Sequence, residues 1–452
     1  MTVVDPLEMC DRVIDAARKV EPAAEVAVST VVGPDTLTRF AGSFIHQNVA
    51  EHQNAVLVKV VLDGRAATVS TTRTDDEGVE RVVRQGVDAA RLRPADPDWP
   101  GLAPAAPVAA APWDDATASA TPSDRAAVVR AFVDAGDGLE AAGFVSTSGQ
   151  TMAFANTAGQ RVMSRSTKAA VDGIHRSGAG DGSGRHGSAR LADLDGRDAG
   201  ARAAAKARGQ DGAIDVEPGS YEVVLEPACV ADMMLFLRAA GFNAKSVQEG
   251  MSFVHLGEQQ FDESVDIWDD ATDPRTVGHS FDAEGTPKRR VDLVKAGVTC
   301  GIVHDRRTAK KAGTESTGHS IGDDAIGPFA ANVFVGPSQA ARARTRTRAE
   351  LIASVGRGLL VTDFHYTRIL DPKTQVVTGL TRNGVFLIED GKVTKAVKNL
   401  RFTQSYVSAL GPGKVLGIGS DAQLLAGSQL GNGSHVPSVH LAAWNFTGGA
   451  RG

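Results

Sequence analysis

The strongest constraint on the fold is a pair of β-type runs joined by Asp63-Gly64. Residues 55–62 (AVLVKVVL) are almost wholly apolar, and residues 65–72 (RAATVSTT) follow at once. Asp-Gly between two such runs predicts a tight hairpin, because both turn positions take a positive φ. Helical periodicity brackets this hairpin. Residues 6–20 place Leu7, Met9, Val13, Ile14 and Ala17 near one face, with Pro6 in the first turn. Glu77 to Arg91 repeats the pattern with Val79, Val82, Val83 and Val87. With a strand over 24–32 and a long stretch from Thr36 to Ala50, residues 1–92 read as an α-β-meander-α domain.

Residues 93–122 carry Pro94, Pro97, Pro100, Pro104, Pro107 and Pro112 among many alanines, the composition of an extended connector. A central α/β domain follows over 123–215. Ser123 is placed to cap a helix from Asp124 to about Ala142. Short alternating strands come next (FVSTSG, TMAFAN, RVMSRSTKAAVDG), with a turn at Asn156 to Gly159. Residues 177–190 read as a polar, Gly-rich surface loop, and an Ala/Arg-rich helix is expected near 195–209. The remainder, 216–452, is mainly β: a strand at YEVVLEP, an apolar helix over 228–241, a helix near 347–355, and several later strands. No internal repeat at a fixed period is found. The 49 glycines and 5% aromatic content suit a turn-rich α+β chain of three units.

The chain has 48 Lys+Arg against 54 Asp+Glu, a net charge of −6, which argues against a dedicated nucleic-acid binder. Its three cysteines (Cys10, Cys229, Cys300) cannot staple 452 residues, so a reducing compartment is expected. The first residues lack an apolar signal core, and no window approaches a membrane span. Together these features predict a cytoplasmic protein.

Chemistry-bearing motifs are sparse. SGAGDGSGRHG has no Gly-Lys-Ser/Thr and so no phosphate loop. Arg342, Arg344, Arg346 and Arg348 would share a face if extended, but no aromatic residues are interleaved for base stacking. Asp266, Asp269, Asp270, Asp273, Asp282 and Glu284 are dense in oxygen ligands, yet their Asp-Pro and Glu-Gly steps read as turns. His46 and His52 share a face only on a strand. His435 and His440 would point to opposite sides of one. No His-Glu-x-x-His and no zinc-spaced Cys pair occurs. The serine motifs around Gly180 and Gly431 lack the strand-to-helix setting of a nucleophile elbow.

The third unit nevertheless resembles the TldD/PmbA family, once called modulators of DNA gyrase. The resemblance runs in order through Tyr221–Pro227, Glu249-Gly-Met-Ser-Phe, Asp269-Asp270 with Asp273-Pro274, and Phe281-Asp-Ala-Glu-Gly-Thr-Pro. It continues through Leu293–Val298, Thr308-Ala309, Ser316-Thr-Gly-His, Asn332 and the strand before Gly448-Gly449. Phe40 to His46 and the 55–62 strand also fit, so the likeness covers nearly the whole chain.

This resemblance implies a two-subunit cytosolic metalloprotease. One subunit holds zinc on a His-Glu-x-x-x-His helix with a Cys near the C-terminus. The other, of the TldE or PmbA type, keeps the fold without the metal. The family's ligand positions fall near Leu235, Phe236 and Ala240, and no Cys follows Cys300. Leucine and phenylalanine offer no lone pair to zinc. The chain is therefore expected to be a non-catalytic subunit that carries no cofactor of its own. Its expected partner is a zinc-bearing TldD-like paralogue, or a second copy of itself, and its substrates are peptides and unfolded chains. Ser316, Thr317, Gly318, His319 and Asn332 match family motifs and are candidate substrate-cleft residues; turn and cap roles are the other reading of the same residues. The rival functions are a metallopeptidase with a metal moved to His255, His279, His435 or His440, and a non-proteolytic peptide-binding adaptor.

Overall fold

The computed structural model describes residues 5–425 and 432–449. Among them the strands form two sheets. The larger has twelve strands in the order Val298–Thr299, Val291–Lys295, Val265–Asp269, Val333–Pro337, Ser434–Val436, Gln423–Leu425, Asp181–Ser188, Arg161–Arg176, Glu140–Asn156, Glu25–Ala41, Phe44–Leu62 and Arg65–Thr71. The smaller runs Phe364–Asp371, Val376–Thr381, Leu400–Ser405, Val439–Gly449, Gly219–Leu225, Arg357–Val361, Val385–Glu389 and Lys392–Val397, with Val415–Ile418 paired on Val439–Gly449. The chain is α+β, as its patterning predicts.

The N-terminal helices form where their caps and stripes dictate. Asp5 accepts the N–H groups of Leu7 and Glu8 at the head of Pro6–Val20, and Asp75 accepts that of Gly78 at the head of Asp76–Arg91. Their stripes (Val13, Ile14, Val82, Val83, Val87) close over Val26, Val28, Val56, Val58 and Val60 of the sheet. Each such aliphatic side chain contributes about 1.5–3 kcal/mol by leaving water. The Asp63-Gly64 hairpin is present, with φ of 47° and 73°.

Five expectations need correction. The helix placed at 124–142 is Pro122–Asp134, because Thr121 and Asp124 cap each other's backbone and the chain turns out at Asp137 and Gly138. The short strands before Asn156 are one strand, Glu140–Asn156, paired along its length with Arg161–Arg176. Of the Gly-rich stretch expected as a loop over 177–190, only the ends are turn; residues Asp181–Ser188 form a strand. A Cβ on Gly182 or Gly184 would collide with the Ala203 or Ala199 carbonyl of helix Gly196–Arg208, so glycine is what lets that helix lie on the strand. Finally, His435 and His440 do not share a strand; they sit on neighbouring strands that belong to different sheets. The arginine run is likewise split, into a short turn at Arg342–Arg344 and the start of helix Arg348–Ala353.

Candidate functional site

The helix Pro227–Phe236 lies between the two sheets and organises a cavity that gathers several charged side chains. Strand Gly219–Leu225 delivers the chain to Glu226, the helix cap, whose carboxylate pairs with Lys206 at 2.5 Å and Arg348 at 2.6 Å. These two cations hold the fully buried Glu226 below the usual carboxylate range against the opposing effect of burial. Cys229, Val230, Met233 and Met234 are buried in the main core. Ala228, Ala231, Asp232 and Leu235 instead line a cavity of about 320 Å³. A π turn, Leu237–Gly241, then carries Arg238 to the same cavity.

The opposite wall comes from distant segments. Arg185 reaches from the glycine-rich strand to Asp363 (2.8 Å) and Asp172 (3.0 Å). Asn383 donates to Asp363 at 2.8 Å. Phe144, Phe364 and Leu425 supply apolar surface. Asp232 accepts the hydroxyls of Thr367 (2.7 Å) and Tyr406 (3.0 Å). Burial nevertheless pushes its carboxyl up to about 6, since two neutral donors do not replace the lost water. Burial brings the Arg238 guanidinium down to about 10, opposed by the charge of Asp269. Its guanidinium lies 4.7 Å above the Phe329 ring.

A family model described as the PmbA/TldA metallopeptidase C-terminal domain matches residues 218–448, which include the helix, Asp363 and Arg238.

The chain belongs to the PmbA/TldD family.

A curated Methanothermobacter thermautotrophicus protein named "Metalloprotease" is 27% identical over 224 residues, 48% of this chain and 47% of the relative. The chain thus matches about half the length of that relative. Solved structures agree in fold. TldE from Thermococcus kodakarensis superposes with a TM-score of 0.84 at 18% identity, covering 97% of this chain and 100% of the other. A Thermotoga maritima protein described as a modulator of DNA gyrase gives 0.82 at 18% identity, covering 97% and 99%. One of the same description from Bacteroides thetaiotaomicron gives 0.80 at 20% identity, covering 99% and 100%.

In this PmbA/TldD chain the positions implied for metal ligands are chemically unsuited to a metal. Leu235 presents an aliphatic side chain to the cavity. Phe236 packs edge-on against Tyr406, with ring centroids 5.9 Å apart. Ala240 lies in the π turn. None of the three supplies a donor atom, so zinc does not fit there. Among the described residues no three His, Cys, Asp or Glu side chains gather as a metal group. The four histidines considered for a moved site have separate surroundings. His255 is exposed. His279 is pushed down to about 4 by burial. The His435 ring lies tilted against Phe334 with centroids 5.2 Å apart, and His440 meets Glu222 at 2.6 Å.

The five candidate cleft residues gather elsewhere. Ser316 and Thr317 donate to the His304 carbonyl at 3.1 and 3.0 Å. Gly318 adopts φ 76° where a Cβ would strike the Pro287 carbonyl. His319 meets Asp269 at 2.9 Å, and the Asn332 N–H donates to the other Asp269 oxygen at 2.6 Å. The Asn332 amide also donates to Thr276 and Val277, both at 2.7 Å. None of the five lines the cavity on the 227–236 helix. They stand behind it, connected through Asn432, which donates to Asn332 at 3.3 Å just before the cavity residues Gly433 and Ser434. Gly431, at the head of the second serine motif, lies outside the described residues.

Sequence reasoning missed the residues that do line the cavity: Asp172, Arg185, Asp232, Asp363 and Arg238. One signal was available, the Asp363 charge that abruptly ends the apolar run of strand Arg357–Val361. The others are single charges in unremarkable patterns.

Proposed function

We propose that this chain is the metal-free, TldE-like subunit of a two-chain peptidase, and that it holds extended peptide while a zinc-bearing TldD-like partner performs the hydrolysis. The observation that carries this reading is the position of Leu235, which faces the cavity where the family's resemblance implies a zinc ligand. The same helix that would bear the metal is retained, but its cavity is walled by hydrocarbon and by an Asp–Arg–Asp network instead.

The cavity adjoins a sheet edge that is unpaired among the described residues, which supports a peptide-holding role. Strand Phe364–Asp371 is the last strand of the smaller sheet, and its first residue, Phe364, lines the cavity. Tyr366 takes φ 52° at an irregularity in this strand and is 68% exposed, and Leu370 is also exposed. A bulky residue with positive φ is strained, and such strain persists where the surroundings demand it. An edge strand of this kind pairs with an extended chain through backbone hydrogen bonds, which read little sequence. His319, Asn332 and their neighbours then act from behind the cavity by holding its floor.

Native mass spectrometry of the chain, alone and mixed with a zinc-bearing paralogue from the same source, tests this. The expected result is a metal-free chain that forms a one-to-one complex carrying one zinc, with peptidase activity only in the mixture. A zinc-loaded chain active by itself would overturn this reading and place the metal on other residues of this chain, such as His255, His279, His435 or His440. An inert complex that still retains peptide would make the chain an adaptor.

A further inference from the structure

A second cavity, of about 150 Å³, lies where the N-terminal sheet, the Pro/Ala-rich connector and the 283–324 segment meet. Its walls are mainly apolar: Leu57 from the sheet, Trp99 and Leu102 from the connector, Phe154, and Ile321. Two polar side chains in its lining lack full partners. The Lys59 ammonium lies 5.0 Å from the centre of the Trp99 ring and forms no ion pair among the described residues. Glu284 accepts the Arg306 N–H on Oε2 at 3.0 Å, while Oε1 has no hydrogen-bond partner among the described residues. The other charges at the cavity are committed. Arg306 donates to the carbonyls of Gly101 and Pro100, and Asp324 pairs with Arg307.

The two free polar groups are complementary to one kind of ligand. Burial, reinforced by the neighbouring Asp282 charge, pushes the Glu284 carboxyl up to about 8. Burial raises the Asp282 carboxyl as well, but Asp282 accepts the N–H groups of Glu284, Thr286 and Ser320, each at 2.9 Å, so of the pair it is the better-stabilised anion. At neutral pH Glu284 therefore holds a proton and donates. A lone ammonium and a carboxylic O–H facing an apolar pocket together call for a single anionic acceptor on a compact hydrocarbon body. A cavity of this size holds a benzene-sized group.

We propose that this cavity is a binding site for a small monocarboxylic acid, its carboxylate received by Lys59 and Glu284 and its apolar body packed between Trp99, Phe154, Leu57 and Ile321. The site is separate from the 227–236 helix and does not rest on the peptidase reading.

The test uses the full chain and sodium benzoate, with benzyl alcohol as the neutral isostere, followed by ligand-observed NMR near neutral pH. Saturable one-to-one benzoate binding is expected in roughly the millimolar range, set by the ligand's size. Benzyl alcohol should bind at least about tenfold more weakly, and Lys59→Met should weaken benzoate by about tenfold or more, the worth of one charge-assisted contact. Leu57 is 40% exposed, so Leu57→Trp can fill the cavity without disturbing the core; it should abolish binding while circular dichroism stays unchanged. The proposal is overturned if benzoate shows no saturation up to about 10 mM, well beyond that range. Equal binding of benzyl alcohol and benzoate overturns it too, as does unchanged benzoate affinity in both variants.

Discussion

Asp232 and Asp269 are both deeply placed carboxyls within the same half of the chain, yet they respond to burial in opposite ways. Asp232 faces the cavity and receives only the neutral hydroxyls of Thr367 and Tyr406, and its carboxyl rises to about 6. Asp269 is sealed behind the cavity and receives His319 and the Asn332 N–H, with Lys288 nearby; these hold it below the usual carboxylate range although burial acts the other way. The comparison teaches that depth alone does not set the protonation of a buried acid. The charge and number of its donors do. It also separates two uses of polar groups: an adaptable network that borders open space, and a closed one that holds a floor.

The largest expected effect would break the closed network. Asp269→Ala leaves His319 and the Asn332 N–H without their acceptor, and should cost about 3–5 kcal/mol of stability in urea unfolding. A loss under about 1 kcal/mol, within the range of an exposed pair, would mean the cluster is not the structural element its geometry indicates.

The next prediction sharpens the contrast through pH. The native pKa of Asp232, about 6, lies above its unfolded value, so the native state binds the extra proton between about pH 4 and 6. Stability from this group therefore falls as pH rises through that window. Asp232→Asn removes the slope, and should gain about 2–3 kcal/mol on wild type between pH 4 and 7. Asp269 has the reverse sign: its contribution is present above its unfolded pKa, near 4, and is lost on acidification below it. Parallel slopes for the two sites would remove the distinction.

A smaller effect distinguishes holding a floor from touching substrate. Asn332→Ala removes donors to Thr276 and Val277 and should cost about 1–3 kcal/mol in unfolding. The peptidase rate of the reconstituted complex, measured per folded molecule, should change little. A large rate loss at full folding would place Asn332 in the cleft after all. The smallest stability change is expected at Leu235, a partly exposed cavity residue, where Leu235→Trp should shift unfolding by under about 1 kcal/mol. On the peptide-holding reading the same change should weaken peptide retention by about tenfold or more, measured by fluorescence anisotropy with a labelled extended peptide; undiminished retention would remove the cavity from the binding path.

Much of the architecture was legible in local pattern. The stripes of Pro6–Val20 and Asp76–Arg91, the Asp63-Gly64 turn and the apolar helix after Gly219–Leu225 stand where periodicity and turn chemistry put them, because those signals span only a few residues. The Gly-rich stretch misled, since glycine marks both open loops and close packing, and only the helix lying over Gly182 and Gly184 decides between them. The histidine pair misled for a related reason: Pro437 and Ser438 carry the chain from one sheet to the other, a change that spacing does not express. Motif matching brought Ser316 to His319 and Asn332 into one group, but could not say which side of the cavity wall they occupy.

What the sequence by itself determined is the α+β character, the family, and the absence of metal donors at Leu235, Phe236 and Ala240, because each depends on residue identity or on short-range pattern. The cavity was decided only by tertiary structure. Asp172, Arg185, Asp232, Arg238 and Asp363 come from separate segments of the chain, and nothing local to any of them fixes the sheet register that sets them face to face. That register comes from the packing of two sheets around one helix, in which each strand's position depends on all its neighbours at once.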